Sequence, residues 1–240
     1  MRLDIYLCEA SLTLSRTEAK NFILGGAVTV DGKIIKKPAF DIPEGACVEL
    51  DRSSKKYVSR GGIKLEAALD HFGIDAKGRL ALDIGASSGG FTDCLLQRGA
   101  EHVIAVDSGK MQLSETLRTD ARVTSVEGFN ARYMSREDLE YVPDLAVMDV
   151  SFISATYIIP SVYSCIADGG VFVCLVKPQF EVGRQSIGKG GVVKDVKARE
   201  RALSEVIAFA KNVGFSHKGT ITSPIEGGDG NVEYLTCFIK

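Results

Sequence analysis

The run Ala81-Leu82-Asp83-Ile84-Gly85-Ala86-Ser87-Ser88-Gly89-Gly90-Phe91 leaves few folds open, because a short apolar strand pattern breaks there on a glycine turn that starts a helix. Glycines let a backbone approach a ligand closely, and the free amides of a helix start favour anionic groups. The carboxylate of Asp83 argues against a phosphate, so the turn reads as a site for another kind of small cofactor. The same alternation continues along the chain. Helix Ile63–His71 leads to strand Leu80–Ile84, helix Phe91–Arg98, and strands His102–Val106, Val123–Glu127, Leu145–Met148 and Val171–Val176. Such alternation predicts a doubly wound, Rossmann-like α/β sheet, in which ligands collect outside the carboxyl ends of the strands. Asp107, Asp149 and Lys177 stand at those ends, and Asn130 follows the third strand.

Residues before Arg60-Gly61-Gly62 have a different character. Ser15-Arg16-Thr17-Glu18 has the spacing of a capping box, followed by Ala19, Phe22 and Ile23 at helical spacing and a Gly25-Gly26 stop. An Asp31-Gly32 pair between Val28-Thr29-Val30 and Ile34 predicts a tight hairpin, and Ala46–Leu50 a further strand. The polar run beginning at Asp51 reads as a linker, which gives a small domain over 1–50, a connection over 51–60 and a large domain over 61–240. The glycine-rich segment Gln179–Lys194 reads as a mobile loop.

Composition excludes more than it assigns. Apolar runs such as Val171–Val176 fall far short of the ~20 residues needed to span a bilayer, and no signal-peptide pattern is present, so a cytoplasmic protein is expected. The six cysteines are scattered without paired or histidine-flanked spacing, which points to free thiols and no metal. Net charge is −2, with ten Lys/Arg against eight Asp/Glu in residues 1–60 and nineteen against twenty-three beyond. That imbalance alone implies no nucleic-acid partner.

The turn separates two cofactor classes. A dinucleotide site requires G-x-G-x-x-G, whereas this chain has Gly85-x-x-x-Gly89-Gly90 behind Asp83. A carboxylate there suits the ammonium group of S-adenosylmethionine, Asp107 its ribose hydroxyls, and Asn130 its adenine edge, although a turn-forming asparagine explains Asn130 equally. Asp149-Val150-Ser151-Phe152 lacks the paired prolines that amino-group methyltransferases place at this point, and Cys165 and Cys174 fit poorly as nucleophiles. Opposite charges at the ends of two core strands, Asp149 and Lys177, suit proton handling, since burial lowers a lysine's pKa while a neighbouring carboxylate opposes that shift and orients it. A structural ion pair is the competing reading.

Two resemblances sharpen this. Arg2-Leu3-Asp4, Ser15-Arg16, Ala19, Ile23, Gly25, Val28, Val30, Gly32 and Lys37-Pro38 resemble the S4 RNA-binding domain. That resemblance implies phosphate contacts at Arg16, Lys20, Lys33, Lys36 and Lys37, with Arg60 at the junction. Tyr57–Leu65, the Asp83–Phe91 turn, Asp149-Val150-Ser151-Phe152, Leu175–Glu181 and Gly230-Asn231-Val232-Glu233-Tyr234 resemble the FtsJ-like ribose methyltransferases, in the hemolysin A (TlyA) branch that joins an S4 domain to the catalytic one. The resemblance implies a class I S-adenosylmethionine-dependent methyltransferase domain acting on ribosomal RNA, on the 2′-hydroxyl of cytidine, with RNA or ribosomal subunits as partner and neither DNA nor membrane. By motif position, Lys64, Asp149, Lys177 and Glu233 correspond to the family's catalytic tetrad, with Glu226 a rival for the last. Asp83, Gly85, Ser87, Gly89, Gly90, Phe91, Asp107, Asn130 and Asp149 form the expected cofactor set. A membrane-damaging hemolysin and a non-catalytic S4-type RNA-binding factor are the alternative readings.

Overall fold

The computed structural model, which describes residues 1–13, 15–51, 56–188, 190–227 and 230–240, divides the chain into two units, Met1–Arg60 and Gly61–Lys240. Residues 52–55 of the expected linker lie outside the described residues.

In the first unit, helices α1 (Leu3–Glu9) and α2 (Arg16–Leu24) precede β1 (Val28–Val30), β2 (Lys33–Ile34) and β3 (Val48–Leu50). Ser15 caps α2 by accepting from the Glu18 amide at 3.1 Å, and Gly26 leaves the helix at φ +79°. Asp31 and Gly32 both take positive φ, which is the turn that matches strand twist in a two-residue hairpin. The sheet order is β2-β1-β3, all antiparallel. Leu3, Leu7, Ala19, Phe22, Ile23, Val28 and Val30 close its core.

In the second unit, α3 (Gly61–Phe72), β4 (Leu80–Ile84), α4 (Gly90–Gln97), β5 (His102–Asp107), α5 (Glu115–Arg118), β6 (Val123–Glu127) and β7 (Leu145–Met148) are followed by α6 (Ile159–Cys165) and β8 (Val171–Val176). Then come α7 (Pro178–Glu181), α8 (Val196–Val213), β9 (Ser216–Thr222) and β10 (Tyr234–Ile239). The seven-stranded sheet runs β6-β5-β4-β7-β8-β10-β9, parallel from β6 to β8 and antiparallel where β10 inserts between β8 and β9. Every residue of β7 and β8 is buried, as expected of central parallel strands covered on both faces.

The sequence patterns place β4 to β8 to within a residue, whereas α8, β9 and β10 carry weaker signals. α8 buries only Ala198, Ala202, Val206 and Ala210, a narrow stripe of mostly small residues on an otherwise charged helix, though Asp195 caps its start. The segment read as a mobile loop holds α7 and a 3₁₀ turn at Arg184–Ser186, and it is pinned from inside. Asn231, 1% exposed, accepts from the Val193 amide at 3.0 Å and donates to the Gly191 carbonyl at 2.9 Å. Cys94, Cys165, Cys174 and Cys237 are buried and Cys47 is exposed; all six thiols are free. Among the described residues no cluster could hold a metal ion and no helix is long and apolar enough to cross a membrane.

Candidate active site

β4 has β5 on one side and β7 on the other, so the chain leaves in opposite directions at this point and a crevice opens outside the strand ends. Gly85 follows β4 at φ +81°, with its amide on the Val106 carbonyl at 2.8 Å. A Cβ there would lie 2.5 Å from the backbone oxygen of Asp149, so the strand ends can come this close only at a glycine. The resulting cleft has a volume of about 490 Å³. Gly85 and Ser87 line it from β4, Asp107 to Gly109 from β5, Phe129 to Ala131 from β6, and Asp149 to Ile153 with Ile158 from β7.

The residues of the turn divide between the cleft and the packing of α4. Gly89, Gly90 and Phe91 do not line the cleft. Gly89 is the N-cap of α4 at φ +95°, and a side chain there would run into Leu113 and Leu117. Phe91, 3% exposed, belongs to the core. The inner half of the turn thus serves helix packing, and only its first residues face the cleft.

The acidic residues divide similarly. Asp107 lines the cleft while its oxygens accept from the Ser87 amide (2.8 Å) and the Gly109 amide (2.7 Å), which fixes the carboxylate and leaves it lone pairs for hydroxyl donors. Asp83 lies behind the lining, fully buried, and accepts from the Thr92 hydroxyl at 2.6 Å; its Oδ1 has no partner. Burial pushes its carboxyl up to about 7, against the Thr92 hydrogen bond and with help from Asp149. Asn130 lines the cleft, and its side-chain oxygen caps the following turn at the Arg132 amide (3.1 Å).

Beside the cleft stand two lysine–carboxylate pairs. Lys64 shares the buried stripe of α3 with Leu65, Ala68 and Leu69, and its Nζ donates to Glu233 Oε2 at 2.5 Å. Glu233 immediately precedes β10, whose Tyr234 pairs with Val176, the residue before Lys177. Gln179 also donates to Glu233, at 3.3 Å. Lys177 lies 2.5 Å from Asp149 Oδ1 in an ion pair without hydrogen-bond alignment, and its hydrogen bond goes to the Ser151 hydroxyl at 2.8 Å. Asp149 and Ser151 both line the cleft and thereby join it to the charged cluster. Glu226 is exposed, and Glu233 rather than Glu226 meets Lys64.

Thr92 carried no signal in the sequence, and Ser151, Gln179 and Glu181 stood inside the matched motifs without a role assigned to them. Glu181 is pushed up by burial, yet accepts from the Ser154 hydroxyl (2.6 Å) and the Ala155 amide (2.8 Å), tying the segment after Lys177 to the segment after Asp149. Phe152 is 92% exposed at φ +64°, with its ring 5.2 Å from that of Phe180. Phe152 is thus an aromatic side chain held outward in a strained conformation, and the Phe180 ring beside it lies 6.0 Å from Lys177 Nζ.

In the first unit, Lys20, Lys33, Lys36 and Lys37 are exposed. Arg16 is not a free cation, because with Arg2 it grips the fully buried Asp4 (2.9 and 3.0 Å). Burial alone would raise the Asp4 carboxyl, and the two guanidinium groups outweigh it and lower it. Arg60 is half-buried at the unit boundary.

Comparison with known proteins gives a match to the FtsJ-like methyltransferase family over residues 57–240 and to the S4 domain over residues 1–46. The chain is 43% identical to Hemolysin A of Brachyspira hyodysenteriae over 240 residues, covering all of both chains. It is 42% identical to the 16S/23S rRNA (cytidine-2′-O)-methyltransferase TlyA of Mycobacterium tuberculosis over 235 residues, covering 98% of this chain and 88% of that one. A solved structure from Streptococcus thermophilus, titled as a hemolysin, superposes with a TM-score of 0.80 at 44% identity, covering all of this chain and 88% of that one. Aeropyrum pernix fibrillarin with bound S-adenosyl-L-methionine superposes with a TM-score of 0.52 at 15% identity, over 74% of this chain and 76% of that one, and shows the shared fold alone.

Proposed function

Since the chain belongs to the FtsJ-like methyltransferase family, we propose that it methylates the ribose 2′-hydroxyl of a cytidine in ribosomal RNA, with S-adenosylmethionine as donor. One observation carries the reading. The Lys177–Asp149 pair reaches a cleft at the sheet's switch point through Asp149 and Ser151, and the Lys64–Glu233 pair stands at the start of the neighbouring strand β10.

The residues of the cleft suit the cofactor. Asp107 offers lone pairs to two ribose hydroxyls, and Phe129, Ile153 and Ile158 offer apolar walls to a purine beside Asn130. Asp149 supplies negative charge toward an ammonium or sulfonium. When bound, S-adenosylmethionine supplies an electrophilic methyl group. The chain has to position a weakly acidic hydroxyl in line with that methyl and manage its proton. Lys177 gives one proton to the Asp149 carboxylate as the pair comes into line, and the neutral amine then takes the proton of the attacking hydroxyl, while Ser151 holds the amine in place. Lys64, held by Glu233, adds fixed positive charge near the developing negative oxygen. The exposed face of Phe152 gives the target base a stacking surface, its ring set against that of Phe180, over which Lys177 lies. In the first unit, Lys20, Lys33, Lys36 and Lys37 supply phosphate contacts that raise affinity without specifying sequence.

Ribosomal subunits and protein-free ribosomal RNA incubated with labelled S-adenosylmethionine, then digested and analysed by mass spectrometry, test the reading. The expected product is a 2′-O-methylcytidine that Lys177→Ala lowers by about 10²–10³-fold or more. Methyl found on a base and never on ribose would refute it.

A further inference from the structure

We propose that Tyr133, Arg132 and Tyr157 form a second stacking platform, on the rim of the cleft, for an unpaired RNA nucleotide flanking the one that is methylated. The inference rests on the function proposed above for its choice of ligand and on the geometry of the rim for its place. Tyr133 is 72% exposed and Tyr157 53%, and the Arg132 guanidinium lies 4.6 Å from the Tyr157 ring centre and 5.7 Å from that of Tyr133. Among the described residues no carboxylate pairs with Arg132. The nearby Asp138 is turned back onto the Ser135 amide and hydroxyl, both at 2.8 Å.

The platform is built rather than incidental. Its two segments are tied where the Ser161 hydroxyl donates to the Arg132 carbonyl at 2.8 Å. Each segment then runs directly into the cleft, through Asn130 and Ala131 on one side and Ile158 on the other. Tyr157 stands five residues beyond Phe152, at most ~18 Å of chain, so one strand of RNA can reach both surfaces. Two exposed rings and a planar cation without an anionic partner match the recognition of single-stranded nucleic acid, in which bases stack on aromatic faces and arginine planes and the charge meets phosphate.

The test uses the full chain as wild type, Tyr133→Ala/Tyr157→Ala, Tyr133→Phe/Tyr157→Phe and Arg132→Ala. Methyl transfer to protein-free RNA is measured with cofactor affinity by calorimetry and binding of a labelled single-stranded oligonucleotide. The double alanine variant is expected to raise KM for RNA about 5- to 100-fold, the double phenylalanine variant to match wild type, and cofactor affinity to stay unchanged in both. Arg132→Ala is expected to reduce the slope of log affinity against log salt by about one. Unchanged KM and oligonucleotide binding in the double alanine variant would overturn the platform, as would an equal loss of cofactor affinity. A loss seen with assembled subunits but not with protein-free RNA would assign the rings to a protein partner and also overturn it. Wild type that yields no methylated ribose yet binds the oligonucleotide through these rings would refute the proposed activity and leave the platform standing.

Discussion

Glu233→Ala separates what the lysine–carboxylate pairs do for stability from what they do for chemistry. Glu233 keeps 2% of its side chain exposed and Lys64 10%, with 2.5 Å between the charged atoms. The truncation leaves an ammonium group enclosed without its counter-charge, and the neighbouring Gln179 can offer it at most a neutral amide oxygen. Removing one partner of a buried pair costs about 3–5 kcal/mol, most of it the uncompensated charge that remains. For a unit of this size each kcal/mol shifts Tm by roughly 2–4 °C, so a fall of roughly 6–20 °C is expected. Lys64→Met/Glu233→Leu replaces both charges by apolar volume and should recover to within about 2 kcal/mol of wild type, or exceed it. Both variants should lack methyl transfer. Urea unfolding followed by circular dichroism, alongside the labelled-cofactor assay, reads the two effects separately. An unfolding midpoint for Glu233→Ala equal to that of wild type would refute the buried-pair argument, and methyl transfer retained by the double variant would refute the catalytic one.

Three further outcomes follow from the same geometry. Gly85→Ala forces a methyl group onto the Asp149 carbonyl at positive φ, so cofactor affinity measured by calorimetry should fall more than tenfold, and unaltered affinity would show that the strand ends can part without harm. Asp83 carries a carboxyl pushed up from 3.8 to about 7 by burial, so its contribution to stability is full below pH 3.8 and is lost as pH rises toward 7, on the order of 4 kcal/mol. Asp83→Asn keeps the acceptor for Thr92 without the charge; its stability relative to wild type, without cofactor, should rise from pH 4 to pH 8, and parallel curves would sink the assignment. Asn231→Ala removes two buried hydrogen bonds that pin Gly191 and Val193, a loss of about 1–3 kcal/mol for each group left unpaired, and limited proteolysis should then cut within residues 183–194 first. Cleavage at the wild-type rate there would show that other contacts hold the segment.

Much of the larger unit was legible because its signals are local. β4 and β6 to β8 are short apolar runs ended by polar residues or glycine, and strand ends of that kind announce themselves within a few residues. The Asp31-Gly32 turn and the Ser15 cap are likewise local chemistry. The glycine turn was less legible, because a glycine required for helix packing has the same sequence appearance as one required for close backbone approach. Gly85 answers to the backbone of Asp149, while Gly89 answers to Leu113 and Leu117. The Arg16–Asp4 pair was hidden for a related reason, since an arginine that holds a buried aspartate reads in sequence like any other surface arginine.

By itself, then, the chain determined a strand–turn–helix cofactor motif, the alternation that builds a sheet around it, and which charged residue types stand at the strand ends. Only the tertiary structure decided how those charges pair. Lys64 and Glu233 are 169 residues apart, and they meet because β10 enters antiparallel beside β8 while α3 packs against it, which sets Glu233 beside Lys177 and against Lys64. Register across a sheet depends on burial summed over many strands, so no local stretch encodes it. The same holds for the exposed rings at Tyr133, Phe152 and Tyr157, whose shared rim exists only once β6 and β7 have delivered their following loops to one edge of the cleft.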